Sequence, residues 1–187
     1  MEGQGWRLFV ALELPHEVSA QLAGWRDGVL AAAPAEPAVL APIRRADLHV
    51  TLCFLGLCRA DSVEAIGHAC SVIGGTGQAL LRVGDALWLP RRHPGVLAVA
   101  VEDLDGKLAE AQASLAQALI RIGAYRPEAR AFLPHVTVAR VRGGGRVHSR
   151  ELEPPPAEGF EGQRVTLYRS VLGHLGARYE PLHTVAL

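Results

Sequence analysis

The residues best placed to do chemistry in this chain are His49, Thr51, His135 and Thr137. They sit in two copies of one pattern, His49-Val50-Thr51-Leu52 and His135-Val136-Thr137-Val138. In a β-strand, positions two apart leave the same face, so each copy presents an imidazole beside a hydroxyl. Val50, Leu52, Val136 and Val138 turn to the other face and can anchor the strands in a core. An imidazole has an unperturbed pKa of about 6.5, so near neutral pH one ring of a pair can be neutral and the other protonated at little cost. That combination is a general base and a general acid. The threonines can donate hydrogen bonds to phosphoryl oxygens whose charge grows in a transition state. A lone His in an apolar strand is ordinarily structural, and a lone Thr there ordinarily reflects strand propensity. What singles these four out is their repetition in one register, with Leu48 and Pro134 before the histidines and runs ending at Gly56 and Gly143 after them.

Other residue types narrow the chemistry. Cys53, Cys58 and Cys70 form no Cys-x-x-Cys spacing and, with the available histidines, no common zinc pattern, so no metal is expected. Unpaired cysteines fit a reduced, cytoplasmic setting. His16, His68, His93, His148, His174 and His183 have no partner motif and read as structural or surface residues. Gly143-Gly144-Gly145 lacks the Lys-Ser/Thr of a phosphate loop.

The 19 basic and 19 acidic residues cancel, so no global field draws the chain to a polyanion. Any phosphate site must be a local patch. The basic residues are almost all arginine, with Lys107 the sole lysine. Arg44, Arg45, Arg126 and Arg130 precede the two motifs, and Arg140, Arg142, Arg146 and Arg150 follow the second. The planar guanidinium fork suits phosphate. No stretch approaches a membrane span, and the N-terminus shows no signal peptide.

The positioning elements follow from periodicity. Residues 7–14 read as a buried strand, with Leu8, Val10, Leu12 and Leu14 on one face and Phe9 and Ala11 on the other. Pro15 opens a helix over 16–32, and Ala31 to Pro42 forms an extended connection. The first motif strand spans 48–55 and is ended by Gly56. A helix over 62–74, capped by Asp61 or Ser62, stops at Gly74-Gly75. Strands at 79–89 and 95–102 are joined through the turn-rich Pro90 to Gly95. A helix over 104–122 carries Leu104, Leu108, Ala111, Leu115 and Leu119 inward and is capped by Gly123. The second motif strand covers 135–141. The glycine run and Pro154-Pro155-Pro156 read as irregular segments that can border a substrate path. Strands at 162–173 and 178–187 pair through His174 to Ala177.

The paired His-x-Thr motifs and their flanks resemble the two-histidine (2H) phosphoesterases. Within them, the chain is similar to the bacterial and archaeal RNA 2',3'-cyclic phosphodiesterase family, also called 2'-5' RNA ligase. Arg7 to Pro15, Asp47 to Gly56, Leu133 to Val141 and Leu167 to Ser170 match its blocks in order across most of the chain. The element order and the repeat predict an α+β fold. Two pseudo-symmetric lobes, each an antiparallel sheet backed by helices, face across a central cleft in a single domain over 1–187.

The resemblance implies hydrolysis of a terminal 2',3'-cyclic phosphate to a 2'-phosphate. His49 is then the proton donor to the 3' oxygen and His135 the proton acceptor from water, although the sequence alone does not assign the two roles. Run in reverse with a 5'-hydroxyl, the same groups form a 2'-5' linkage. Neither direction requires a cofactor or metal. The expected partner is RNA with a cyclic phosphate end, tRNA fragments included, handled by a monomer and not by a membrane protein.

By resemblance Arg140 contacts phosphate. In a regular strand, however, it lies opposite His135 and Thr137, so it reaches the cleft only if the strand bends or ends near Ala139. Parity places Cys53, where the family often carries Lys, on the face of His49 and Thr51. Phe9 can stack on a base, against the more ordinary core role. Tyr168 and Arg169 match a block without a derivable role. Competing readings are a 2H phosphodiesterase for small cyclic nucleotides or 2'-5' oligonucleotides, a non-catalytic RNA-binding module, and a metallohydrolase.

Overall fold

The structure, a computed structural model, describes residues 5–32, 39–142, 145–156, 159–173 and 176–187. In chain order the elements are β1 (Gly5–Glu13), α1 (His16–Ala31), β2 (Leu40–Pro42), β3 (His49–Arg59) and α2 (Val63–Cys70). There follow β4 (Ala79–Leu89), β5 (Val96–Asp103), α3 (Lys107–Arg121), β6 (His135–Val141), β7 (Gly159–Gly162), β8 (Arg164–Gly173) and β9 (Gly176–Ala186). Residues 143–144 and 174–175, where the sequence predicts the glycine run and the last hairpin connection, part of the 31–42 connection and the first four residues lie outside the described residues.

All the described strands pair antiparallel in one sheet, ordered β7-β4-β5-β6-β3-β1-β8-β9, with β2 also on β6. The two lobes are its halves. They meet at β3 and β6, whose ladder consists of the single pair Val50 opposite Val136. Each motif strand thus has a firm neighbour on its outer side, β1 for β3 and β5 for β6, and a loose seam between them. A local twofold axis through that pair exchanges the two motifs.

Strand β3 does not stop at Gly56. That glycine adopts φ +72°, in the left-handed region that a side chain disfavours, and stands where the β1 pairing skips a residue between Phe54 and Gly56. The glycine therefore marks a bulge inside a longer strand. Helix α3 begins at Lys107 because the Asp103 carboxylate accepts from the amides of Gly106 (3.1 Å) and Ala109 (2.8 Å) and so occupies the first turn. Leu104, left outside the helix, is exposed rather than on the inner stripe. Residues 71–73 continue α2 as a 3₁₀ turn. Strands β2 and β7 are too short to leave a periodic signal.

The core lies between the sheet and the helices. Leu8, Val10 and Leu12 of β1 and Leu108, Ala111, Leu115 and Leu119 of α3 belong to this one core, all of them fully buried. Helix α1 packs on β2 and β6, while α3 reaches β3, β4 and β5. The irregular segment 145–156 is pinned at two points. The Trp25 indole N–H donates to the Glu153 carbonyl and that of Trp88 to the Arg150 carbonyl, both at 2.9 Å, and Val147 is buried. Among the described residues no helix is long and apolar enough to cross a membrane.

Candidate active site

Strands β3 and β6 carry the same local irregularity, and it decides what reaches the cleft. Along β3, Thr51 faces Ala11 of β1 but Cys53 faces Val10, so Leu52 is an extra residue. Along β6, Thr137 faces Ala98 of β5 but Ala139 faces Leu97, so Val138 is the extra residue. Each bulge leaves two consecutive buried residues, Leu52-Cys53 and Val138-Ala139, and flips the face of the residue that follows, Phe54 or Arg140.

Cys53 is therefore not on the His49 and Thr51 face. It is buried in the core, where Gln112 and Tyr125 hydrogen-bond to it, and burial pushes its thiol up to about 12. It is an inert core thiol, and nothing basic is missing at its position. Phe54 and Arg140 take the cleft-side places instead. Arg140 lines one recess with His49, Thr51, Phe9 and Phe54, and has no carboxylate partner among the described residues. The bend that Arg140 needs exists.

Each imidazole is oriented the same way. His49 Nδ1 donates to the Asp47 carbonyl at 2.7 Å and His135 Nδ1 to the Leu133 carbonyl at 2.8 Å. A carbonyl only accepts, so the hydrogen belongs on Nδ1 and each ring keeps Nε2 as its basic nitrogen. The device is local: the residue two before each His turns its carbonyl back onto the ring. Both rings are half-buried on adjacent strands, His49 beside the Thr137 side of the seam and His135 beside the Thr51 side. His135 and Thr137 do not line the recess around His49 but flank it across the seam.

Burial is the main influence that pushes His49 down to about 4, with the Arg140 cation and His135 acting in the same direction. The lowered value makes a stability prediction. Between pH 6.5 and 4 the unfolded chain binds a proton at this ring that the folded chain refuses, so stability falls as pH falls through that window. The full shift corresponds to on the order of 3 kcal/mol. Denaturant unfolding of His49→Asn should show a correspondingly flatter pH dependence between pH 7 and 4 than the unsubstituted protein. Parallel curves for the two proteins would remove His49 as the titrating group.

Phe9 is buried, as its core reading requires, yet it also lines the recess. Its ring lies 4.9 Å from that of His49, stacks at 5.3 Å on Tyr168 and meets Tyr179 edge-on at 4.9 Å. Tyr179 in turn stands edge-on to His49 at 5.3 Å. Tyr168, pushed up to about 12 by burial and by Glu13, remains a phenol and donates to Glu13 at 3.2 Å. Thr166 (2.7 Å) and Arg164 (2.9 Å) complete the ring of partners around that carboxylate.

Glu13, Arg45, Tyr168 and Tyr179 form a second, polar recess on the other side of His49. Sequence reasoning missed Tyr179, Glu13 and Arg7. Their only signal was strand parity, which places Arg7 and Glu13 on the Phe9 face; Tyr179 joins them through β8–β9 pairing alone. Segment 145–156 lines neither recess. Among the described residues no group of three or more His, Cys, Asp or Glu could hold a metal ion.

No family model matches the chain. It is 29% identical over 185 residues to the RNA 2',3'-cyclic phosphodiesterase of Escherichia coli (strain K12), covering 97% of this chain and 96% of that protein. It superimposes on a crystal structure of a phosphoesterase with a TM-score of 0.80 and 28% identity, covering 98% of this chain and 99% of that one. Against E. coli LigT complexed with 3'-AMP the TM-score is 0.81 with 27% identity, over the same shares of the two chains.

Proposed function

We propose that this chain, which belongs to the two-histidine phosphoesterase family, opens 2',3'-cyclic phosphates at RNA ends and leaves a 2'-phosphate. The observation that carries the reading is the doubled device at the seam. Two imidazoles, each held by Nδ1 on a backbone carbonyl, flank one local twofold axis together with Thr51 and Thr137. Binding alone would not need two rings with matched free nitrogens. Both come from one chain, which supports action as a monomer within a single domain over 1–187. Accepting an RNA end, of a tRNA fragment or another transcript, is consistent with the arginines on the cleft rim.

In the proposed step, His135 Nε2 takes a proton from water as its oxygen bonds to phosphorus. The bond from phosphorus to the 3' oxygen breaks, and His49 Nε2 supplies the proton that makes it a hydroxyl. Thr51, Thr137 and Arg140 bear on the non-bridging oxygens, where charge accumulates. The ring that must donate is the one that burial and the Arg140 cation keep neutral, so the phosphate anion itself has to favour its protonation on binding. Reversal, with a 5'-hydroxyl in place of water, would form a 2'-5' linkage. The lowered His49 value also favours a second assignment, His49 as base and His135 as acid.

The test is incubation, in chelator, with an oligoribonucleotide ending in a 2',3'-cyclic phosphate, the product isomer being read by phosphorus NMR. A 2'-phosphate is the expected product. An unchanged RNA end, with turnover of small cyclic nucleotides or 2'-5' linkages, would redirect the reading to those substrates.

A further inference from the structure

Beyond the seam, β3 and the segment that leads from α3 to β6 border a groove that the proposed chemistry does not use. Leu57, Cys58, Ile122, Tyr125 and Arg126 line it, and Phe54 is the wall that it shares with the His49 recess. Three of these side chains, Phe54 (48%), Leu57 (75%) and Ile122 (48%), are exposed apolar groups gathered in one place. Such a cluster rimmed by charge marks a binding surface rather than scattered surface hydrophobes. The charge is cationic. Arg126 is exposed and has no carboxylate partner among the described residues, and the Arg7 guanidinium stands over the Phe54 ring, 5.4 Å from its centre. Arg59 is also there, though paired with Asp61.

We propose that the body of a single-stranded RNA leaves the cleft across Phe54 and lies in this groove. Nucleotides preceding the cyclic end would then rest on Phe54 and Tyr125, with their phosphates near Arg7 and Arg126. Three observations select this occupant. The groove shares its Phe54 wall with the recess proposed for the terminal phosphate, its aromatic and apolar floor suits bases of any sequence, and its cations suit a backbone of phosphates. The chain has no net charge, so a polyanion has to be held by a local track of this kind. The proposal rests on the cyclic phosphodiesterase reading and deepens it: the substrate is an oligonucleotide several residues long, not the terminal nucleotide alone.

The experiment compares kcat/KM for a pentaribonucleotide ending in a cyclic phosphate with that for 2',3'-cyclic AMP, in the unsubstituted protein, Arg126→Glu and Ile122→Asp. Both substituted residues are exposed and outside the proposed catalytic set. The unsubstituted protein should prefer the pentamer, less so as salt rises. Each variant should lose about tenfold on the pentamer, the equivalent of one stacking or phosphate contact, and keep its rate on cyclic AMP. Equal rates on the two substrates in the unsubstituted protein, or variants that lose neither or both, overturn the groove assignment. Failure of the unsubstituted protein on both substrates instead overturns the underlying reading.

Discussion

Replacing either His49 or His135 by alanine should lower kcat on a 2',3'-cyclic phosphate at least ~10²-fold, the low end for a positioned acid or base. The two losses should not multiply, because a base without its acid leaves the same step unassisted. A substrate with sulfur in place of the leaving 3' oxygen separates the roles, since a thiolate departs without a proton. On it the variant lacking the acid recovers and the variant lacking the base does not. Recovery of His49→Ala supports His49 as the proton donor, and recovery of His135→Ala supports the reversed assignment. Near-normal turnover in both single variants would take the pair out of the mechanism.

The second large effect belongs to Arg140. Its substitution by alanine should cost about 10²-fold in kcat/KM, the scale for one preorganised group aimed at developing charge. Arg140→Lys should recover part of this, because it restores the charge but not the planar fork. The pH profile supplies a readout that a merely structural role would not move. Two coupled imidazoles give a bell, and its acid limb should lie low because His49 is held down to about 4. Arg140 contributes to that depression, so its removal raises the His49 value and moves the acid limb to higher pH. An activity within threefold and an unmoved limb would place Arg140 outside the site.

The pairing of an imidazole with a hydroxyl on one face of each motif strand follows from the amino-acid order alone. His49, Thr51, His135 and Thr137 were legible because an alternating strand keeps positions two apart on one face, and that holds over the three residues from each His to its Thr. The buried face of β1 and the inner stripe of α3 from Leu108 to Leu119 were legible for the same reason, a period that stayed unbroken. What lies past each motif is set by strand pairing. Alternation fails at a bulge, and whether a strand bulges depends on the partner it pairs with. Parity therefore misplaced Cys53 and left Arg140 on the far face, while pairing with β1 and β5 buries Cys53 and delivers Phe54 and Arg140 to the cleft. Tyr168 and Tyr179 reach His49 through β8 and β9, more than a hundred residues along the chain, by a strand order that no local signal encodes. The single pair that joins the two halves is likewise a product of assembly: it exists because both helix-backed half-sheets pack around one core and bring the two copies of the motif edge to edge.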